Sequence, residues 1–421
     1  MRSVVVSCPI DTYSGYGARS RDLVKALIET KKYDVKILSQ RWGNTRFGYL
    51  ADHNETDLNS RIVPNLNSKP DIWIQISVPN EFQKVGTYNI GVTAGMETTL
   101  VDQSWIEGCN RMDLILTSST HSVNTFRQTT YEQREKSTNK VVKKIQLDVP
   151  IDIIFEGVDL SKYFNHGKAK LDLSEIKESF CYLLVGHWMQ GDFGEDRKNV
   201  GYTVKSFLEA FKNKPNPPAL ILKTMQVGTS IMDRNRILSK IDGLRKTVKG
   251  KLPNVYLIHG ELSDTQVNDL YNHPKVKVMV SHTKGEGYGR PLAEFAVVGK
   301  PIICSGWSGQ IDFLSRDHTL LIGGDLREVH KSATQKNMIL AESKWFYPSD
   351  AEVAKAYKET FKHYKRYALL AKQQSKLVKD NFSYDKMVTL LDKVLDNNVP
   401  EIPEQVSLTL PKLNLPKLEK I

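Results

Sequence analysis

Val276 to Gly309 read VKVMVSHTKGEGYGRPLAEFAVVGKPIICSGWSG. The apolar, β-branched run predicts a strand over Val276 to Ser281, which then enters a glycine-rich turn at Gly285, Gly287 and Gly289. Pro291 stands where helices accept proline, in the first turn, and Gly299 stands where they stop, so a helix to about Val298 is expected. Another short apolar run, Pro301 to Cys304, follows. Strand, turn, helix and strand in this order form a βαβ unit, the building block of a parallel sheet.

The same alternation extends outward in both directions. Strands are expected at Ser3 to Cys8, Tyr33 to Leu38, Asp71 to Ile76, Tyr88 to Thr93 and Leu114 to Ser118, with a helix from Tyr16 to Glu29. They recur at Phe180 to Val185, Ala219 to Lys223 and Val255 to His259, with helices at Val200 to Phe211 and Thr265 to Asn272. Ser263 and Asp264 supply the capping chemistry for the last of these. The fold class is therefore α/β, with two Rossmann-like, doubly wound domains whose strand ends face a shared cleft.

The 421 residues are about three times the ~150 residues of a typical domain, which rules out a single small binding module. The expected division is 1–165, 166–394 and a Pro- and Lys-containing tail at 395–421. A helical stretch from Ala351 to Val394 precedes the tail, and its last helix is expected to pack back on the first domain. With 40% hydrophobic and 25% charged residues and a mean hydropathy of -0.39, disorder is excluded as the main state. No run approaches the ~20 apolar residues of a membrane span, and Val4 to Cys8 is too short for a secretory leader, so no integral membrane contact is expected. Cys8, Cys109, Cys181 and Cys304 are widely spaced in apolar surroundings and read as reduced thiols of a cytoplasmic protein.

The glycine-rich turn carries the first chemistry. Bare backbone amides and a helix N-terminus suit an anionic group. Glu286 and Glu294, eight residues apart, are out of place beside a phosphate unless they accept hydrogen bonds from hydroxyls, and sugar or ribose hydroxyls are the natural donors. Arg197 and Lys198 lie between a strand and the helix beginning near Val200, where fixed cations can stabilise developing negative charge. Gly15, Tyr16 and Gly17 follow the first strand, but Ser20 occupies the last glycine position of a dinucleotide fingerprint. Glu97 closes the strand of NIGVTAGMETT and faces either the ligand or the core. Asp192, Phe193 and Gly194 repeat a kinase triplet without a matching catalytic loop.

The block EGYGRPLAE followed by GKPIICSGWSGQIDFL resembles the donor-site signature of retaining GT-B glycosyltransferases of the GT4 type. FEGVDLSKYF at Phe155 to Phe164 resembles that family's interdomain segment, and LVGHW resembles its strand end. The resemblance implies a GT-B fold and transfer of a sugar from a nucleotide diphosphate with retention. Glu286 would then bind hydroxyls of the transferred sugar, while Gly287, Tyr288, Gly289, Arg290, Pro291 and Leu292 surround the donor. Glu294 would hold the ribose, Arg197 and Lys198 would neutralise the leaving diphosphate, and Gly15, Tyr16 and Gly17 would approach it. His187 follows Gly186 where the family often has arginine, and no histidine stands at Glu97, where relatives often place one. No cofactor and no metal are implied, the nucleotide sugar being a co-substrate, and neither DxD nor HExxH occurs.

The net charge is +11. Residues 1–165 hold 20 Lys+Arg and 19 Asp+Glu, and residues 166–421 hold 39 and 29, so nearly all the excess lies in the second half. Dense basic stretches run from Arg234 to Lys251, from Lys358 to Tyr367 and, in the first half, where the resemblance puts the acceptor, from Arg127 to Lys144; Arg127, Lys140 and Lys143, with Glu97, are the acceptor-side candidates. A DNA duplex across the cleft would use all three. VPNEFQKVGTYNIGVTAGMETT and GEDRKN resemble glycosyltransferases of tailed bacteriophages, which points to a hydroxymethylated pyrimidine in DNA as acceptor and to the host cytoplasm as location. Three alternatives stand beside it: transfer onto a polysaccharide, lipid-linked glycan or protein; a nucleic-acid-binding protein on an inactive scaffold; and a nucleotide-sugar epimerase.

Overall fold

The computed structural model describes residues 1–135, 137–226 and 228–402. Its first domain contains β1 (Arg2–Cys8), α1 (Gly15–Glu29), β2 (Tyr33–Ser39), short helices α2 (Tyr49–Asp52) and α3 (Thr56–Ser60), β3 (Ile72–Ile76) and β4 (Tyr88–Val92). It continues with α4 (Gln103–Cys109), β5 (Leu114–Thr117), α5 (Thr120–Gln128), β6 (Tyr131–Arg134), β7 (Val141–Ile145) and β8 (Ile151–Ile153). Six strands form a parallel sheet in the order β2-β1-β3-β4-β5-β8. Central strands covered on both faces read as unbroken apolar runs, and β5 (LILT) is buried throughout. β2, at the edge, alternates buried with exposed residues.

The second domain contains β9 (Cys181–Val185), α6 (Val200–Phe211), β10 (Ala219–Lys223), α7 (Ile231–Thr247), β11 (Val255–Ile258), α8 (Asp264–Asn272), β12 (Val276–Ser281), α9 (Arg290–Val298), β13 (Ile302–Ser305) and β14 (Leu320–Ile322). These strands form a second parallel sheet, β11-β10-β9-β12-β13-β14. In each sheet the strand order reverses once, between β1 and β3 and between β9 and β12. Ligands bind beyond the carboxyl ends of the strands at such switch points.

Two antiparallel hairpins were not foreseen: β6 with β7, and β15 (Gly324–Glu328) with β16 (Lys344–Pro348). β15 is exposed along its whole length, so it shows no apolar pattern. The one strong cue was KWFYP, whose Trp345 is fully buried.

The helical stretch expected over Ala351 to Val394 consists of three helices: α10 (Asp350–Lys362), α11 (Tyr364–Asn381) and α12 (Tyr384–Asn398). His363 breaks the first pair with non-helical dihedrals, and Ser383 caps the third helix. Because α12 runs to Asn398, the tail starts later than 395. The expectation for 403–421 lies outside the described residues. α12 packs on α1, burying Met387, Leu391 and Leu395, while Lys32 pairs with Asp392 (2.6 Å) and Asp396 (2.8 Å). Val158, on the segment leaving the first domain, forms a parallel bridge with Ser383 on the returning segment. Among the described residues no helix is long and apolar enough to cross a membrane.

Candidate functional site

The site forms where the turn after β12 meets the loop after β4. Gly287 packs so closely on Ala94 that a Cβ would lie 2.2 Å from its carbonyl oxygen, an approach open only to glycine. The Ser118 hydroxyl reaches both the Ala94 carbonyl (2.8 Å) and the Gly287 carbonyl (3.0 Å), tying the domains together at this point. Further polar links join the Thr120 amide to Asp312 (2.7 Å) and Arg46 to Glu261 (2.8 Å). Gly287→Ala should destabilise this closed contact by about 1–3 kcal/mol, as overpacked sites do. Small-angle scattering should then give a larger radius of gyration, and an unchanged profile would refute the assigned contact.

Glu286 is 6% exposed, and its backbone amide donates to the Ser308 hydroxyl at 2.9 Å. Lys198 Nζ lies 2.6 and 2.8 Å from its two carboxylate oxygens, and Arg197 lies 3.3 Å from one of them. Burial opposes the charge on Glu286, but Lys198 and Arg197 outweigh it and hold the carboxyl below its ordinary pKa. Arg197 also faces Glu97 at 3.6 Å. Thus four of the sequence-predicted residues, Glu286, Arg197, Lys198 and Glu97, form one compact charged cluster.

Beside it, a cavity of about 420 Å³ opens between the domains at the switch point of the second sheet. Gly186 and His187 border it from the end of β9, Lys223 from β10, Asp264 from α8, and Pro291 and Glu294 from α9. Gly186 touches the Lys198 stem, so the cavity adjoins the charged cluster. Gly289 takes a left-handed φ of +104° as the N-cap of α9, which turns that helix's N-terminal end toward the same region. Burial raises the Glu294 carboxyl to about 7 despite Arg290, whose Nε donates to it at 3.0 Å. Arg290 also pairs with Asp22 of α1 (2.5 Å) and lies 3.8 Å from Glu156, spanning the domain boundary.

Other expected donor residues have different surroundings. The Tyr288 ring turns into the core against Phe313, and Leu292 is buried, so their backbones rather than their side chains border the turn. Gly15 is exposed at the start of α1, in open space. Gly17 instead packs on Thr12 within the first domain, since a Cβ there would lie 2.2 Å from the Thr12 carbonyl oxygen. The Tyr16 hydroxyl bonds to Thr93 (3.1 Å) and to the Ala94 amide (3.2 Å), and its ring stacks on Trp42. Both residues therefore serve the first domain's own architecture.

The three basic stretches are spread around the two sheets. Arg127 ends α5 and reaches the carbonyl of Ile151, the first residue of β8, at the opposite edge of the sheet. Lys140 and Lys143 are exposed on or beside the β6–β7 hairpin, whose base at Gln146 is held by Asn110, also at that edge. Lys358 to Tyr367 spans the α10–α11 turn, where Phe361 and Tyr364 pack on Phe180, just before β9 begins. Arg245, near the end of α7, bonds the carbonyl of Pro253, just before β11. The stretch from Arg234 instead starts in the first turns of α7, after the carboxyl end of β10, where the Gln226 amide donates to Asp233 at 3.0 Å, so the three stretches do not share one edge.

Lys223 and Tyr271 were not singled out from sequence, and Asp264 only as part of a helix cap. Lys223 could have been, as a cation ending an apolar strand, and it donates to the Gly260 carbonyl at 2.5 Å.

No protein-family profile matches the sequence, and no curated protein matches it. Solved structures do. Sucrose-phosphate synthase from Thermosynechococcus elongatus superposes with a TM-score of 0.63 at 11% identity, over 94% of this chain and 99% of that one. HepE from Anabaena, in complex with UDP-glucose, gives 0.61 at 11% identity, over 94% and 100%. A glycosyltransferase from Rickettsia africae gives 0.61 at 12% identity, over 94% and 98%. The chain has the GT-B fold. In this GT-B frame the 420 Å³ cavity and the Glu286 cluster both lie at the interface of the two domains.

Proposed function

We propose that the protein is a retaining glycosyltransferase that moves a sugar from a nucleotide diphosphate to an acceptor hydroxyl. One observation carries the reading: the two glutamates of EGYGRPLAE point to separate tasks, Glu286 locked in the basic cluster and Glu294 lining the adjacent cavity. In this reading the nucleoside occupies the cavity, with Glu294 accepting its ribose hydroxyls. Lys198, Arg197 and the N-terminus of α9 meet the diphosphate, and Glu286 accepts hydroxyls of the sugar. The acceptor oxygen bonds to the anomeric carbon on the face from which the sugar–phosphate bond breaks. That bond's electron pair goes to the leaving phosphate oxygen, which takes the acceptor's proton, so no protein nucleophile is required. Cationic charge fixed before the reaction stabilises the departing diphosphate without reorganisation. No metal is assigned to this step.

A hydroxymethylated pyrimidine in DNA is the acceptor drawn from the sequence resemblance, and transfer onto a glycan is the second reading. Two of the three basic stretches pack where strands begin, away from their carboxyl ends, which favours the second. The test offers UDP-, ADP- and GDP-sugars with plain DNA, hydroxymethylated DNA and neutral oligosaccharides, followed by mass spectrometry and by NMR of the new anomeric proton. A mass gain of one sugar with the donor's anomeric configuration is expected. Nucleotide release without product under every donor would sink the proposal, and an inverted product would remove the retaining mechanism.

A further inference from the structure

On the transferase reading above, we propose that Lys284 is a positioning residue for the transfer step: its buried ammonium, through Glu195, fixes the loop that carries Arg197 and Lys198 in register with the turn that carries Glu286. Two ion pairs join these same two segments, with their charges in opposite order. Glu195 of the loop holds Lys284 of the turn at 3.0 Å, and Lys198 of the loop holds Glu286 of the turn at 2.6 Å. An exchange of partners would set carboxylate against carboxylate and ammonium against ammonium, so charge admits one register only. Fixing a register is the best-attested use of a buried ion pair, since such pairs add little to stability.

The backbone locks the same register. The Lys284 amide donates to the Arg197 carbonyl (2.8 Å), and the Arg197 guanidinium donates back to the Gly285 carbonyl (3.0 Å). Lys284 also meets the β15–β16 hairpin, where its carbonyl accepts from the Phe346 amide (2.9 Å). Lys344 of β16 in turn exchanges hydrogen bonds with Thr99, two residues beyond Glu97, at 2.9 and 2.8 Å. All four members of the charged cluster are thus held by segments that meet at or beside Lys284.

The Lys284 side chain is fully buried and enclosed by aromatic faces, with Nζ 3.3 Å from the Tyr347 ring centroid and 5.2 Å from that of Trp345. The Tyr347 hydroxyl donates at 2.5 Å to the same Glu195 oxygen that receives Lys284. Burial lowers the ammonium to about 8, with Glu195 and Asp196 of the loop supporting its charge and Arg327 of β15 opposing it. Tyr347, raised to about 12, stays neutral in that range. The residues that border the 420 Å³ cavity do not include Lys284, so it acts on the reaction through the groups it holds.

The test follows nucleotide release from UDP-glucose, ADP-glucose and GDP-mannose by the full chain between pH 6 and pH 10, with water or maltotriose as acceptor. Calorimetric titration with UDP, ADP and GDP runs beside it. Lys284→Met should lower kcat roughly tenfold to hundredfold while leaving the donor KM and the nucleotide affinity within about twofold. Wild-type kcat should decline as pH rises through about 8, where the ammonium loses its proton. Lys284→Arg keeps the charge at every pH, so it should keep most of the turnover and lose that decline. Glu195→Gln changes a partly exposed side chain, which leaves the fold in place if Lys284→Met does not, and should move the decline to lower pH. Unchanged kcat in Lys284→Met overturns this proposal alone. So does a decline that stays in place in both Lys284→Arg and Glu195→Gln, the result expected if Lys198, also lowered by burial, sets it. Absence of nucleotide release from every donor overturns the transferase reading and this proposal with it.

Discussion

Lys198→Met is expected to lower transfer turnover by roughly 10²- to 10³-fold, the usual cost of removing a preorganised charge from a developing anion. The same change should destabilise the protein, because Glu286, 6% exposed, loses its partner at 2.6 Å. Leaving a buried carboxylate without its ion-pair partner costs about 3 kcal/mol, somewhat offset here by Arg197 at 3.3 Å. The two effects separate in the double variant. Adding Glu286→Gln to Lys198→Met removes the unpaired charge and should restore much of the melting temperature, yet activity should stay lost, since both the sugar's acceptor and the diphosphate's cation are gone. Calorimetry and single-turnover kinetics on the three variants decide this. Wild-type turnover in Lys198→Met would remove that residue from the mechanism.

The second large effect concerns Glu294. Its carboxyl is raised by burial from the ordinary 4.5 to about 7, with Arg290 pulling the other way and Asp264 and Asp22 adding to the rise. Tyr271, whose hydroxyl lies 3.5 Å from it, and Tyr163 also border it. In the free protein this group stabilises the fold most below about 4.5, where it is protonated in both states, and that contribution is lost as pH rises through about 7. Nucleotide binding follows the opposite sense. If ionised Glu294 accepts the ribose hydroxyls as proposed, affinity should plateau above pH 7 and fall toward tenfold per unit below it, with proton uptake or release visible by calorimetry in buffers of different ionisation heat. Glu294→Gln should weaken nucleotide binding roughly tenfold to hundredfold and flatten the pH profile. A profile that keeps its slope in the variant would assign the titration to another group.

The sheets were readable because parallel strands covered on both faces must be apolar throughout, as in LILT and CYLLV. The turn from Gly285 to Gly289 was readable because backbone demands leave few residue choices, and the two glutamates stood out against an apolar helix. What escaped was set by packing between distant segments. Tyr16 and Gly17 sit in a glycine-rich stretch whose local pattern is the same whether it meets a ligand or Thr12 and Trp42. Tyr16 and Trp42 stack only when β1 and β2 align, and no spacing along the chain encodes that. The basic stretches could not be placed from sequence because charge density carries no direction: only the position of Phe361 and Tyr364 against Phe180 reveals that one of them lies where β9 begins.

The seat of α12 on α1 also orders the birth of the molecule. Every strand of the first sheet has emerged by Ile153, but the side chains that cover α1 arrive only with Met387 to Leu395. During synthesis the first domain therefore waits, with an uncovered apolar stripe, through more than two hundred further residues. The closing helix is the last described secondary-structure element to be made, so completion of the first domain is coupled to completion of the second.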